Sequence, residues 1–197
     1  RMATYIMPDG TYGKTPAMIE NCNLPEGAKL AINPDEFYPN HKATDFYHHY
    51  KEDIAMFAEL GFKAFNMTLS WARIFPKGIK AGINPEGVEF YHNVFKECLK
   101  YGIEPLVHLY KYDMSAFYIE ELGGWKNRVL IDEFVEFGKA SIDEFQEVTY
   151  WSTFNEINAA QFSILDSSNQ EEVQRQYQVL HNQLVASAKV VKYLHDN

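Results

Sequence analysis

The sequence predicts an α/β fold, with a parallel sheet of about three strands and four flanking helices. Segments whose apolar residues recur at helical spacing alternate with short, aromatic-rich runs that are typical of buried strands. Glycines follow several of the helical segments, at the place where helices commonly end. This alternation, with right-handed crossovers, gives a parallel sheet covered by helices.

The composition is that of one compact domain, because 46% of the 197 residues are hydrophobic and 15% are aromatic. The net charge of -9 is spread along the sequence without a cluster of Lys and Arg, which argues against a nucleic-acid partner. No stretch reaches the roughly 18 consecutive apolar residues of a membrane helix. We therefore expect no membrane partner and a cytoplasmic location.

Cysteine and histidine give no sign of a metal site. Cys22 and Cys98 are isolated from each other, specify neither a disulfide framework nor a metal site, and are expected to be free thiols. The seven histidines provide no convincing pair with a carboxylate at metal-ligand spacing. The sequence predicts no metal and no cofactor.

The N-terminal part of the chain, residues 1–40, is predicted to be a long loop. It contains eight Gly and Pro residues and shows no sustained apolar period. Loops of this length are uncommon inside compact domains. Residues 41–197 are predicted to form the folded (β/α) domain.

The first helix and the first strand of this domain follow one another directly. Thr44 is predicted to cap a helix whose apolar residues keep helical spacing until Gly61. Residues 62–71 form a short aromatic run between Gly61 and the Pro76–Gly78 turn, which indicates a buried strand.

The same alternation continues towards the end of the chain. Asn84 and Pro85 predict the start of a second helix, which Gly102 ends. The later predicted elements are a strand at 104–110, a loop or short helix at 113–128, a helix at 130–145, a strand at 148–154 and a helix at 170–193.

Three strands cannot close into a barrel, so the predicted sheet keeps two open edges. We expect these edges and the inward faces of the strands to drive assembly into a homo-oligomer, or to pair with a complementing chain. The predicted inward positions, or their neighbours, are Phe65, Met67, Leu106, Trp151 and Thr153.

Several blocks in a fixed order resemble family 1 β-glycosidases, most closely the 6-phospho-β-glucosidase branch. These blocks are Asp45–Ile54, Phe57–Lys63, Trp71–Pro76, Tyr101–Val107, Gly123–Asn127, Thr153–Asn158 and Leu184–Ala188. They span most of Tyr38 to His195. The resemblance implies an N-terminal segment of a TIM (β/α)8 barrel, from a family that hydrolyses O-glycosidic bonds.

The resemblance places the candidate catalytic site at the end of the last predicted strand. The run Thr153–Glu156 matches a family motif in which the Glu is the general acid/base and the Asn holds the sugar 2-hydroxyl. Glu156 is therefore the candidate catalytic residue, and Asn155 a candidate substrate ligand. The C-terminal ends of barrel strands are where this fold displays its chemistry. From spacing alone, the alternative is an ordinary polar residue at a strand-to-loop boundary.

Two positions depart from the family pattern. Asn66 stands where the family carries an Arg that pairs with the nucleophile, and a neutral amide cannot supply that charge. Lys111 stands where the family usually has a sugar-binding His, and lysine offers only hydrogen-bond donors. Two interpretations of Lys111 remain open: a desolvated Schiff-base nucleophile, or a solvated loop residue.

The predicted substrate-binding residues are Asn155, Lys111, Asn66 and Trp125. Since parallel strands all end on one side of a sheet, Asn66, Lys111 and Glu156 are expected to share one cleft. Aromatic side chains such as Trp125 can stack on sugar rings or pack in the core, and both interpretations stay open.

The resemblance also indicates what these 197 residues lack. Retaining glycosidases need a second carboxylate about 5 to 5.5 Å from the first. The family's nucleophile motif and its first-strand Gln have no match in this sequence. We expect a glycosidase-like chain that is inactive by itself and takes a carbohydrate or phosphorylated disaccharide when completed. The alternative is a non-catalytic barrel piece that self-associates or binds sugar.

Overall fold

A computed structural model describes residues 4–15, 23–159 and 169–197. Two three-stranded sheets are present in these ranges. The strands are β1 (Thr4–Ile6), β2 (Tyr12–Lys14), β3 (Lys29–Ala31), β4 (Ala64–Thr68), β5 (Glu104–Tyr110) and β6 (Tyr150–Phe154). The α-helices are α1 (Phe46–Glu59), α2 (Trp71–Ile74), α3 (Pro85–Lys100), α4 (Ala116–Glu120), α5 (Val129–Glu144) and α6 (Gln170–Asp196).

The predicted parallel sheet is confirmed. Strands β4, β5 and β6 pair in that order and all run parallel, so β4 and β6 are the outer strands. The four long helices alternate with these strands in the predicted order, and α2 and α4 are short additions.

The predicted loop at residues 1–40 contains three short strands. They form an antiparallel sheet in the order β2-β1-β3. A tight turn joins β1 to β2, in which Asp9 accepts hydrogen bonds from the backbone and side chain of Thr11 and Gly10 adopts a φ of 85°. Strands of three residues are too short to display a period, which explains why the sequence pattern did not reveal them. The division at residue 40 stays a prediction.

Helix α1 begins one residue later than predicted. Its N-cap is Asp45, which adopts a left-handed conformation and makes no side-chain hydrogen bond to the backbone of the helix. The Asp45 carboxylate instead pairs with Nδ1 of His48 at 2.6 Å. Thr44 is therefore not the cap, because the left-handed backbone of Asp45 cannot be the first residue of a right-handed helix.

Strand register decides which side chains face the helices. Phe65 and Met67 of β4 pack against the core. The ring centre of Phe65 lies 5.7 Å from that of Phe46 and 5.1 Å from that of Phe57, both in α1. In β6, the Thr153 hydroxyl lies 2.7 Å from the hydroxyl of Ser187 in α6. Four of the five residues expected on the inward face, Leu106 being the exception, are thus on the helix-covered side.

The opposite side of the sheet is not covered by any helix among the described residues. We call it the uncovered face. Successive side chains alternate between faces, so this face carries Asn66, Leu106 and Tyr150 in one row and Thr68, His108 and Ser152 in the next. A one-residue slip in reading a strand transfers every side chain to the other face. This accounts for the misassigned inward positions.

The helix layer is held together by close packing of α5 and α6 over the sheet. Gly138 of α5 allows this approach, since a Cβ at that position would lie 2.8 Å from Val190 of α6. Cys98 is a buried free thiol, as expected, whereas Cys22 lies outside the described residues. Within the described ranges, no helix combines the length and apolar character needed to cross a membrane.

A histidine joins α3 to the turn that leads into β6. Nδ1 of His92 lies 2.7 Å from Oε1 of Glu147, and Nε2 of His92 lies 3.0 Å from Oε1 of Glu144. Contact of both ring nitrogens with carboxylates favours the doubly protonated imidazolium. Burial acts to lower the pKa of His92, but the two carboxylates outweigh it, and the pKa is raised.

We expect the stability contributed by His92 to depend on pH. Because its folded-state pKa is raised above the unfolded value of about 6.5, the contribution is complete below that pH and disappears as the pH rises through the folded-state pKa. Urea unfolding at pH 6 and pH 9 should show that His92→Gln loses more stability at pH 6, by less than about 1 kcal/mol.

The matched control is His195→Gln, because His195 is exposed at the end of α6. It should change stability by less than about 0.5 kcal/mol at either pH value. An equal loss at pH 6 and pH 9 in His92→Gln would contradict the predicted charge state.

Candidate functional site

The C-terminal ends of β5 and β6 are tied together by the backbone. The N–H of Asn155 donates to the carbonyl of Tyr110 at 2.9 Å. We call the residues at and just beyond the strand ends, 68–70, 110–113 and 154–157, the rim. The rim lies where a parallel α/β sheet presents its ligands and catalytic groups.

Glu156 projects from the rim in an unusual backbone conformation. It has a φ of 49° and is exposed. The hydroxyl of Tyr112 donates to Oε2 of Glu156 at 3.2 Å. Non-glycine residues with positive φ are uncommon and concentrate at functional sites. The carboxylate is therefore held at one oxygen while the side chain as a whole reaches solvent.

A small crevice opens beside this carboxylate. Its lining residues are Tyr110, Tyr112, Phe154, Asn155, Glu156, Ile157 and Gln183. The side-chain nitrogen of Asn155 is buried and has no acceptor among the described residues. A buried amide donor without a partner costs about 1–3 kcal/mol, so the position of this side chain is not explained by its own contacts.

Lys111 lies on the rim next to Tyr112 and is exposed. Its charge reaches His108, whose pKa is lowered chiefly by burial and further by Lys111. Activation of a lysine as a Schiff-base nucleophile requires desolvation. The exposure of Lys111 favours the interpretation of a solvated rim residue.

Asn66 is not brought to the rim. It is level with Leu106 and Tyr150, four residues before Tyr110 and Phe154 at the ends of β5 and β6. At about 3.3 Å per residue, this places it about 13 Å below those strand ends. The expectation that Asn66 shares a cleft with Glu156 and Lys111 stays a prediction, and β4 ends level with His108.

Trp125 lies beneath the rim and is fully buried. Its ring centre lies 5.7 Å from that of Tyr110, 5.4 Å from that of Phe154 and 6.1 Å from that of Trp71. No face of the ring is open to a sugar. The structure therefore corrects the predicted substrate contact and indicates that Trp125 supports the ends of β5 and β6.

Sequence reasoning missed Tyr112 as a site residue. The motif that resembles the family ends at Glu156, and Tyr112 lies 44 positions earlier in the chain, so no local pattern joins them. One signal was available. Tyr112 follows β5 at the same offset as Glu156 follows β6, and parallel strands bring such positions together.

Comparison with known proteins places this arrangement in a family. A sequence model described as glycosyl hydrolase family 1 matches residues 30–197. A 6-phospho-β-glucosidase of Escherichia coli strain K12 is 45% identical over 177 residues, covering 85% of this chain and 37% of that protein. An aryl-phospho-β-D-glucosidase of Bacillus subtilis strain 168 is 40% identical over 196 residues, covering 91% of this chain and 41% of that protein.

Solved structures agree with the predicted fold. A family 1 β-glucosidase from Thermotoga maritima superposes with a TM-score of 0.68 at 32% identity, covering 77% of this chain and 35% of that one. Aphid myrosinase superposes with a TM-score of 0.68 at 33% identity, covering 77% of this chain and 34% of that one. The described residues form part of a TIM (β/α)8 barrel, as predicted. The chain spans 34% to 41% of the length of these relatives.

The buried position of Trp125 predicts a large effect on stability. Trp125→Ala should lower the free energy of unfolding by about 3–5 kcal/mol, since it leaves a cavity among packed aromatic rings. Lys111→Ala, at an exposed rim position, should change it by less than about 0.5 kcal/mol. Urea denaturation measures both, and near-native stability of Trp125→Ala would refute the supporting role.

Proposed function

The chain belongs to glycosyl hydrolase family 1, and on this premise we propose that it carries the acid/base half of a β-glycosidase active site. The observation that supports this most directly is the position of Glu156. Its carboxylate is exposed at the C-terminal rim of a parallel sheet, beside a crevice, and one of its oxygens accepts a hydrogen bond from Tyr112.

The proposed chemistry needs one carboxyl group that changes role. Glu156 first donates a proton to the glycosidic oxygen as the bond to the sugar breaks. It then accepts a proton from the water that releases the sugar. Exposure at the rim suits both steps, because the group must reach the leaving oxygen and then the water. A second carboxylate, belonging to the complete barrel, acts as nucleophile in this scheme.

Two neighbours support substrate binding in the proposal. The side-chain amide nitrogen of Asn155 is buried and has no acceptor among the described residues. If the Asn155 side chain rotates when a ligand binds, an oxygen of the ligand can accept its hydrogen bond. Lys111 adds a positive charge beside Tyr112 at the rim. The predicted contact of Asn66 with substrate stays a prediction, and it would require a ligand that extends onto the uncovered face.

The proposed substrates are β-glucosides or 6-phospho-β-glucosides. Two of the relatives, in Escherichia coli and Dickeya chrysanthemi, are named 6-phospho-β-glucosidases and are 45% and 44% identical to this chain. Since this chain spans only about a third of their length, hydrolysis is assigned to the complete barrel. The predicted cytoplasmic location also stays a prediction, which fractionation of cells would test.

The acid/base assignment predicts a conditional activity. The chain alone should not hydrolyse chromogenic β-glucosides or their 6-phosphates, because one carboxylate cannot serve as both acid and nucleophile. Mixed with the part of the Escherichia coli relative that it does not match, it should gain turnover. Glu156→Gln should then lower kcat by about 10²- to 10⁴-fold.

The control for this experiment is Glu89→Gln, which makes the same change at an exposed position on α3. It should leave turnover unchanged. Turnover in the mixture that survives Glu156→Gln would overturn the assignment, as would turnover by the chain alone that this variant abolishes.

We also propose that the isolated chain self-associates through α6. Three exposed apolar residues recur on this helix at seven-residue spacing: Tyr177 (55% exposed), Leu184 (49%) and Val191 (42%). We call them the α6 stripe. Residues seven positions apart lie on one face of a helix, and they occupy one of the two apolar positions of each heptad along which paired helices pack. At 27 residues, α6 is about 40 Å long, enough for an extended contact.

A second copy related by a two-fold axis fits this surface. With Leu184 at the axis, each Tyr177 lies opposite the partner's Val191. Such a pairing is antiparallel, so it brings the acidic start of each helix, Glu171 and Glu172, towards the basic side chains near the end of the other. The outer strand β6 lies beside α6 and can pair with its own copy in the same arrangement.

This proposal predicts the mass of the particle in solution. Sedimentation velocity at micromolar concentration should show a dimer, and Leu184→Lys should shift it to a particle of 22.8 kDa. Asn93→Lys, which adds the same charge at an exposed site on α3, should remain dimeric. A monomeric wild-type chain would contradict the proposal.

A further inference from the structure

Two strained residues face each other across the ends of β5 and β6. Among the described residues, four non-glycine positions have positive φ: Ala43, Asp45, Tyr112 and Glu156. Tyr112 and Glu156, with φ of 55° and 49°, each lie two residues beyond the last residue of their strand. A left-handed conformation at such residues costs of order 1–3 kcal/mol, so its occurrence at both ends of one hydrogen bond calls for an explanation.

The hydrogen bond between them has a defined direction. A phenol is the only donor in the pair when Glu156 is ionised, so Tyr112 donates its proton to Oε2 at 3.2 Å. Tyr112 is half-buried in the crevice wall, whereas Glu156 is exposed. The less exposed side chain therefore holds the more exposed one.

We propose that Tyr112 is a positioning residue for Glu156, fixing the orientation of its carboxyl group and reserving one oxygen for proton exchange. This proposal rests on the proposed acid/base role of Glu156. With Oε2 engaged by the phenol, the exchangeable proton sits on the other oxygen. That proton passes to the glycosidic oxygen as the glycosidic bond breaks, and a proton from water later replaces it. Tyr112 keeps its own proton throughout.

The left-handed backbone has a role in this arrangement. Turning the chain at Tyr112 and at Glu156 directs the two side chains towards each other, whereas extended residues would alternate between the faces of the sheet. Substituting either residue changes only its side chain. The backbone hydrogen bond from Asn155 to Tyr110, which stabilises the two turns, remains. Conservative variants should therefore fold.

The titration of the Tyr112 phenol tests the pairing directly. A carboxylate that accepts the phenol proton stabilises the neutral phenol, so its loss moves the titration to lower pH. The charged and titratable groups near Tyr112 are Lys111, Asp113, His108 and Glu156. Among these groups, Glu156 accepts the phenol proton in a hydrogen bond.

The experiment uses the full 197-residue chain labelled with ¹³C at the tyrosine Cζ carbon. Tyr112→Phe identifies the Tyr112 signal, and its titration is compared between the wild type and Glu156→Gln. We expect the midpoint to move to lower pH in Glu156→Gln. Glu89→Gln, at an exposed site on α3, should not move it. An unchanged midpoint in Glu156→Gln would overturn the proposal.

A second measurement separates positioning from a purely structural role. In the mixture with the complementing part of the relative, Tyr112→Phe should lower kcat with little change in KM, because the substrate contacts remain while the acid is misdirected. An unchanged kcat would overturn the positioning role. If the Tyr112 midpoint shifts in Glu156→Gln but the mixture keeps its turnover in that variant, the proposed function is overturned. Only the hydrogen bond between Tyr112 and Glu156 would then be supported.

Discussion

The packing of aromatic rings at the ends of the parallel strands is the constraint on which the site depends. Trp71 begins the helix that follows β4, and Tyr110 and Phe154 are the last residues of β5 and β6. Trp125 lies among all three, with ring-centre distances of 5.4 to 6.1 Å. One buried indole thus contacts the ends of β5 and β6 and the start of the helix that follows β4. The rim can carry strained, exposed residues because the layer below it is fully packed.

Most of the fold could be predicted because the signals were strong and local. The bounds of β5 agree with the predicted strand at 104–110, and Pro85 begins α3 as expected. The three strands of the N-terminal sheet could not be predicted, since each has only three residues and their pairing joins distant segments. The cap of α1 was misplaced because Asp45 and Thr44 are both suitable caps by residue type.

The candidate site could be predicted in part. The resemblance identified Asn155 and Glu156, and the parallel sheet places Lys111 on the same rim. The depth of Asn66 depends on the stagger of β4 against β5, which no pattern in a single strand encodes. The burial of Trp125 depends on rings contributed by separate elements, and the hydrogen bond between Tyr112 and Glu156 joins two strand ends that are 44 positions apart in the chain.

The uncovered face of the sheet imposes a chemical condition on whatever covers it. One of its rows consists of Thr68, which belongs to the rim, His108 and Ser152, and Nδ1 of His108 is buried without a partner among the described residues. An aliphatic layer packed on this face would leave these polar groups without hydrogen-bond partners, whereas hydroxyl or amide side chains would provide partners. The row therefore favours a polar covering surface at this level over an aliphatic one.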